Sequence, residues 1–285
     1  EASFHERGHL AGACDHLAGL RVSSAAFEAE TLTYAGYQTL TEKLNGVELR
    51  PTKRWVEEQR LLKEEAEVVA IREAAARVDR ALSRFVAQLR PGRTEREMMV
   101  DLEMELAAEG TKPAFPLIVA AGESAARPHA VPGDRRLAEG EMLKIDVGGV
   151  YSGYCSDLTR TYFCGEADAK FVEIYGLVRR AQEAALEAAG PDVPAREVDS
   201  AARQVIADAG YGDAFSHGLG HGVGLEVHEA PRVSATSEDV LRPGMVVTIE
   251  PGIYLEGWGG VRIEDLILVT EDGIEVLTQA PKPSY

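Results

Sequence analysis

One pattern occurs twice in this chain and limits what it can fold into. Leu137-x-x-Gly140 leads into the apolar run Met142–Ile145, which ends on Asp146 and is followed by Gly148. Further along, Leu241-x-x-Gly244 leads into Met245–Ile249, which ends on Glu250 and is followed by Gly252. A second acid comes after each copy, Asp157 after the first and Glu264 after the second. The midpoint of Asp146 and Asp157 falls between Tyr151 and Ser152, and that of Glu250 and Glu264 is Gly257. Read as two β-hairpins turning at glycine-rich segments, each pair of acids faces across its own hairpin. Cβ atoms of directly opposed residues lie about 5 Å apart, where like charges repel. A chain that does this twice is expected to hold a cation between the acids.

The competing reading is solvated acids beside glycine loops, and a single hairpin would not outweigh it. Here the residues leading to the acids (Leu143, Ile145, Val247, Ile249) pattern as buried. Strand alternation turns each acid to the opposite face, which then needs its own explanation. Metal binding explains it better than surface charge.

Composition narrows the partners. With 285 residues, 45% hydrophobic and 27% charged, the chain has ample material for one large core or two ordinary ones. A formal net charge of -17 argues against nucleic acid or an anionic membrane as partner, because both need clustered cations. No apolar run approaches the roughly 18 residues that span a bilayer. Cys14, Cys155 and Cys164 show no C-x-x-C spacing, so they read as small core residues of a protein in the reducing cytoplasm. The chain begins with Glu1, so the absence of a signal peptide is not testable from it.

Residues 1–54 mix short helical and polar pieces and read as part of a small N-terminal domain, with a boundary near Pro51. Residues 57–89 carry apolar residues at Leu61, Val68, Ile71, Ala75, Val78, Leu82 and Val86, a helical period that Pro91-Gly92 ends. Thr94 and Glu97 form a capping box that opens a helix to about Ala108. Strands from Pro113 to Cys164 carry the first acidic hairpin. Two helices follow, about 169–189 and 195–209, and strands over 215–270 carry the second. The order predicts two similar α+β halves in residues 55–285, with a site in the cleft between them.

His5, His9 and His16 lie in the unpatterned start and read as surface residues. His217, His221 and His228 lie in Ser216-His217-Gly218-Leu219-Gly220-His221-Gly222-Val223-Gly224 and its continuation to Glu229. The four glycines argue against a helical zinc pair at 217 and 221. Glycine there lets the backbone pass close to a ligand or a neighbouring strand. His129, in Arg127-Pro128-His129, gains weight only from this company. Four carboxylates and one imidazole suit Mn²⁺ or another borderline divalent ion. Two carboxylates from each half can hold a pair of ions, and paired ions activate water and stabilise an oxyanion, which points to hydrolysis.

Five residues in context, Asp146 and Asp157 in IDVGGVYSGYCSDLTRTYFCG, His221 in HGLGHGVGLEVHEAP, Glu250 in IEPGIY and Glu264 in VRIED, resemble the pita-bread metallopeptidases. That family includes methionine aminopeptidase, aminopeptidase P and prolidase. The resemblance covers about residues 56–278. It implies that Asp157 and Glu264 bridge two divalent ions, that Asp146 completes one, and that His221 and Glu250 complete the other. The donor set favours Mn²⁺, with Co²⁺ or Zn²⁺ as alternatives. Glu250 would act as general base, and His129 and His228 would contact substrate and the tetrahedral intermediate. His217 in HGLGH, the strand Ser156–Thr161 and Arg262 two residues before Glu264 resemble the proline-specific branch. Arg262 then either pairs with a ligand carboxylate or grips a substrate carboxylate, and Tyr254 either packs or donates into the cleft.

The resemblance implies an exopeptidase acting on small peptides with proline second, and a homodimer. Methionine aminopeptidase and a non-catalytic peptide-binding member of the same fold are the alternatives. Proline-specific members carry a full N-terminal domain, of which residues 1–54 look like a part.

Overall fold

Alternation along Glu141–Val147 buries Leu143, Ile145 and Val147 on one side of a strand, and this strand organises the first of two similar halves. The computed structural model describes residues 9–285 and divides after Gln59 into two compact units.

In the first unit the helices His9–Leu20 and Tyr34–Lys43 alternate with two parallel strands, Ser24–Glu28 and Glu48–Thr52. Cys14, Leu40 and Leu44 form its small core. His9 and His16 are exposed on their helix. His5 lies outside the described residues.

The single helix expected over 57–89 is two, Trp55–Arg60 and Glu65–Ala87. Between them the Lys63 amide donates to the Gly244 carbonyl at 2.8 Å, and the Glu64 amide donates to its neighbour Glu67 at 2.7 Å. Those bonds begin a new helix, which a periodicity of side chains does not reveal. The Thr94/Glu97 capping box is present and opens Glu95–Ala108.

Each half packs two helices on one antiparallel sheet. Val78, Leu82, Phe85, Met98, Leu102 and Leu106 cover Leu143, Ile145 and Leu158. Phe171, Ile174, Val178, Ala202 and Ile206, from helices Ala169–Ala188 and Ala195–Asp208, cover Val247, Ile249 and Ile267. The sheets have three strands in the first half (Ile118–Ala121, Glu141–Val147, Leu158–Cys164) and five in the second. The central strands of the second are Gly220–Gly222, Val246–Ile249 and Asp265–Val269.

The second hairpin has the expected register. Ile249 faces Asp265 and Gly252 faces Arg262, which sets Glu250 opposite Glu264 and centres the turn on Gly257, at φ 74°. The first does not, because Asp146 faces Thr159 rather than Asp157. Tyr151 pairs with Tyr154, leaving Ser152-Gly153 as the turn, with φ of 49° and 88°. Two successive positive φ angles make the mirror-image turn that matches strand twist in a two-residue loop. That requirement moves the turn one residue along and leaves Asp157 diagonal to Asp146.

The two hairpins abut. The Glu264 amide donates to the Thr159 carbonyl at 3.1 Å, and Thr161 Oγ1 donates to the Arg262 carbonyl at 2.9 Å. Behind them Arg160 is fully buried, donating to the Glu264 carbonyl, to Asp265 at 2.7 Å and twice to the Ala280 carbonyl, at 3.1 and 2.7 Å. All three cysteines are buried and unpaired. No helix among the described residues is long and apolar enough to cross a membrane.

Candidate metal centre

Gly220 and Gly222 let the His221 strand lie against its neighbours. A Cβ on Gly220 would meet the Thr248 carbonyl oxygen at 2.0 Å, and one on Gly222 the Ala230 carbonyl oxygen at 2.1 Å. Only glycine allows that approach, and it brings His221 beside the two acidic hairpins.

Asp157, His221 and Glu264 each offer one ligand atom, and these atoms lie within 4.8 Å of one another. His221 Nε2 lies 3.3 Å from Glu250 and 3.6 Å from Asp157. His221 Nδ1 lies 3.1 Å from the Gly222 carbonyl, which can only accept, so Nδ1 carries the hydrogen. In the neutral ring Nε2 then presents its lone pair towards the acids, as a metal-ligating imidazole does. Asp157, Glu264 and Asp146 are buried, and Asp146 Oδ1 and Asp157 Oδ1 have no hydrogen-bond partner.

Burial, reinforced by Glu264 and Asp146, pushes the Asp157 carboxyl well above its ordinary range. Burial, reinforced by Glu250 and Asp146, does the same to Glu264. Burial also raises Asp146, with Arg262 opposing. Glu250 goes the other way: burial raises it, but a protonated His221, by its hydrogen bond and charge, together with Arg262 holds it down at about 2. Burial lowers His221, and Glu250 more than offsets this. Crowded carboxylates with orphaned oxygens beside an imidazole lone pair fit a divalent cation.

Arg262 is buried and gives four hydrogen bonds to protein: Nη2 to Asp146 at 2.5 Å, Nε to Thr159 Oγ1 at 2.9 Å, and Nη1 to Tyr254 Oη at 3.0 Å and the Pro128 carbonyl at 3.2 Å. Tyr254 Oη in turn reaches His217 Nε2 at 2.9 Å, while His217 Nδ1 faces the Gly218 carbonyl at 2.8 Å. Tyr254 therefore donates to His217 and accepts from Arg262, and it belongs to the site's polar network. Burial lowers His217, and burial with the nearby His221 lowers His228. The His228 ring is exposed, its centroid 4.3 Å from that of His221. His129 is exposed in the turn after Pro128, whose carbonyl Arg262 holds.

Sequence reasoning named the acids and the histidines but passed over three supporting side chains. Thr159 Oγ1 donates to Glu264 at 2.6 Å, and Thr248 Oγ1 donates to Glu250 at 3.1 Å. Lys144 shares the Asp146 strand and is fully buried. A lysine inside an apolar strand was the signal available for the last.

Residues 69–271 match the metallopeptidase family M24, and the chain belongs to it, its two α+β halves forming the pita-bread fold. Membership makes it a metallopeptidase of a class that uses divalent ions. Among its relatives, the Xaa-Pro dipeptidase of Pyrococcus furiosus is 43% identical over 253 residues, covering 88% of this chain and 73% of that protein. The chain matches the solved Xaa-Pro dipeptidase from Bacillus anthracis with a TM-score of 0.93 at 40% identity, over 96% of this chain and 77% of that one. It matches the X-Pro aminopeptidase from Thermotoga maritima with a TM-score of 0.92 at 35% identity, over 99% and 80%.

Proposed function

We propose that the protein is a dinuclear metallo-exopeptidase that hydrolyses the bond between an N-terminal residue and a following proline. The observation that carries this is the cluster of Asp157, His221 and Glu264, with orphaned carboxylate oxygens at Asp146 and Asp157. The Xaa-Pro specificity printed for its relatives supports the substrate class.

Asp146, Asp157, His221, Glu250 and Glu264 would together hold two divalent ions. Mn²⁺ suits this oxygen-rich set, with Co²⁺ or Zn²⁺ as alternatives. Bound there, divalent ions activate water and stabilise charge developing on a carbonyl oxygen. Glu250, ionised and oriented by Thr248, accepts the proton of the attacking water. His228 and His129, both exposed, face the substrate and donate to the developing oxyanion. His217 orients Tyr254, and Arg262 holds Asp146. Buried, with four of its five donors on protein acceptors, Arg262 serves as partner of Asp146.

The test is hydrolysis of Ala-Pro, Ala-Pro-Pro and Met-Ala-Ser by metal-stripped protein with and without Mn²⁺. Metal-dependent cleavage of Ala-Pro alone makes it a dipeptidase, and preference for Ala-Pro-Pro makes it an aminopeptidase. Cleavage of Met-Ala-Ser instead, or of none despite bound metal, overturns the proposal.

A further inference from the structure

Lys144 lies two residues before Asp146 on the same strand, its side chain fully buried. Burying an ammonium costs several kcal/mol, which an apolar residue in this apolar strand would avoid. The ammonium has no carboxylate partner among the described residues. Its three donors go to carbonyl oxygens, those of Arg127 at 2.7 Å, Ala125 at 3.0 Å and Pro128 at 3.4 Å, with the Tyr254 ring centroid 4.9 Å away.

All three carbonyls belong to the segment that carries His129. Glu95 grips that segment at both ends, accepting from the Ala121 and Gly133 amides at 2.9 Å each. Lys144 holds its middle, and Arg262 adds a bond to the Pro128 carbonyl at 3.2 Å. The exposed His129 ring has no side-chain hydrogen bond among the described residues, so the backbone alone sets its place. The peptide just before His129 is thereby tied to the Asp146 strand.

We infer that Lys144 is the positioning residue for His129, holding the 125–128 carbonyls so that the imidazole is presented to the cleft. The role of His129 in turnover rests on the peptidase reading above, whereas the clamp does not. In Mn²⁺-loaded enzyme, Lys144→Met should lower kcat/KM for Ala-Pro about a hundredfold, the cost of misplacing a group that meets the substrate. In a His129→Ala background the same change should cost less than about threefold, because both substitutions remove one function. Metal content should stay unchanged.

A second readout does not depend on turnover. In Zn²⁺-loaded, ¹³C-histidine-labelled protein, the His129 signal, identified by its loss in His129→Ala, should shift and broaden in Lys144→Met while those of His217 and His221 hold. Costs that multiply in the double variant, or a His129 signal that does not move, overturn the inference. If the wild-type enzyme cleaves neither Ala-Pro nor Ala-Pro-Pro, the peptidase reading fails and the His129 signal alone decides the clamp. If Lys144→Met does not fold, Lys144→Arg replaces it: its planar fork cannot reproduce the three-carbonyl set, and an unmoved His129 signal has the same adverse meaning.

Discussion

Thr159, on the first hairpin, gives its hydroxyl to Glu264 of the second at 2.6 Å and receives Arg262 Nε at 2.9 Å. One small side chain thus orients a carboxylate of the opposite half while holding the arginine that pairs with Asp146. Thr159→Val keeps the shape and removes the hydroxyl. It should cost about 1–3 kcal/mol of stability, since buried Glu264 and Arg262 each lose a partner. Mn²⁺ affinity should fall about 10–100-fold, the usual effect of removing support from a metal ligand. Titration calorimetry reads the affinity, and unchanged binding would show that Glu264 holds its place without help.

Asp157→Ala should abolish both metal uptake and turnover while the fold is kept. Deleting this acid also removes a carboxyl that burial, reinforced by Glu264 and Asp146, pushes well above its ordinary range. Metal-free Asp157→Ala should therefore melt no lower than the metal-free parent. Normal activity in this variant would remove Asp157 from the site.

Metal and pH should act on stability together. The Asp157 and Glu264 carboxyls are raised in the folded protein, first by burial and then by neighbouring carboxylates. A raised acid binds more protons folded than unfolded. Its contribution is therefore present below the unfolded value of about 4 and is lost as pH rises through the folded value. The melting temperature of EDTA-treated protein should fall as pH rises above about 4, and Mn²⁺ should restore more at the higher pH, since it replaces the missing protons. Scanning calorimetry across that range checks the sign, and a metal effect independent of pH would count against this site.

Gly222→Ala should destabilise the protein by about 3 kcal/mol or more, as overpacking against rigid backbone does. The added methyl would meet the Ala230 carbonyl oxygen at 2.1 Å and its carbon at 2.5 Å, and neither can swing away as a side chain would. His221 moves with that strand, so metal affinity should fall as well. A variant of unchanged stability would mean that the strands separate easily. Chemical denaturation measures the first effect and metal titration the second.

Asp146 and Glu250 stood out in the sequence because each ends an apolar run in a repeated pattern, Asp157 and Glu264 because a second acid follows each copy, and His221 because of its glycine-rich setting. The Thr94/Glu97 cap was readable because its bonds span three residues. What escaped depends on backbone conformation or on distant partners. The Ser152-Gly153 turn was missed because glycines also flank it at 148 and 149, so a midpoint argument cannot choose among them. The break between Arg60 and Glu65 comes from a bond between Lys63 and Gly244, far apart in sequence. Thr159 and Lys144 look like ordinary strand residues until their partners, Glu264 and the carbonyls of 125–128, are brought in by the fold. Tyr254 and Arg262 each admitted two roles in the sequence, and the bonds of Tyr254 to His217 and Arg262, and of Arg262 to Asp146 across the hairpins, tie both into one network.

Arg160 spends two of its donors on the carbonyl of Ala280 while another reaches that of Glu264. The tail that carries Ala280 is thus part of the footing under the ligand strands. A protease that clips the chain ahead of residue 280 should silence the enzyme without touching any residue that meets metal or peptide. An assay that followed only the intact site residues would miss such damage.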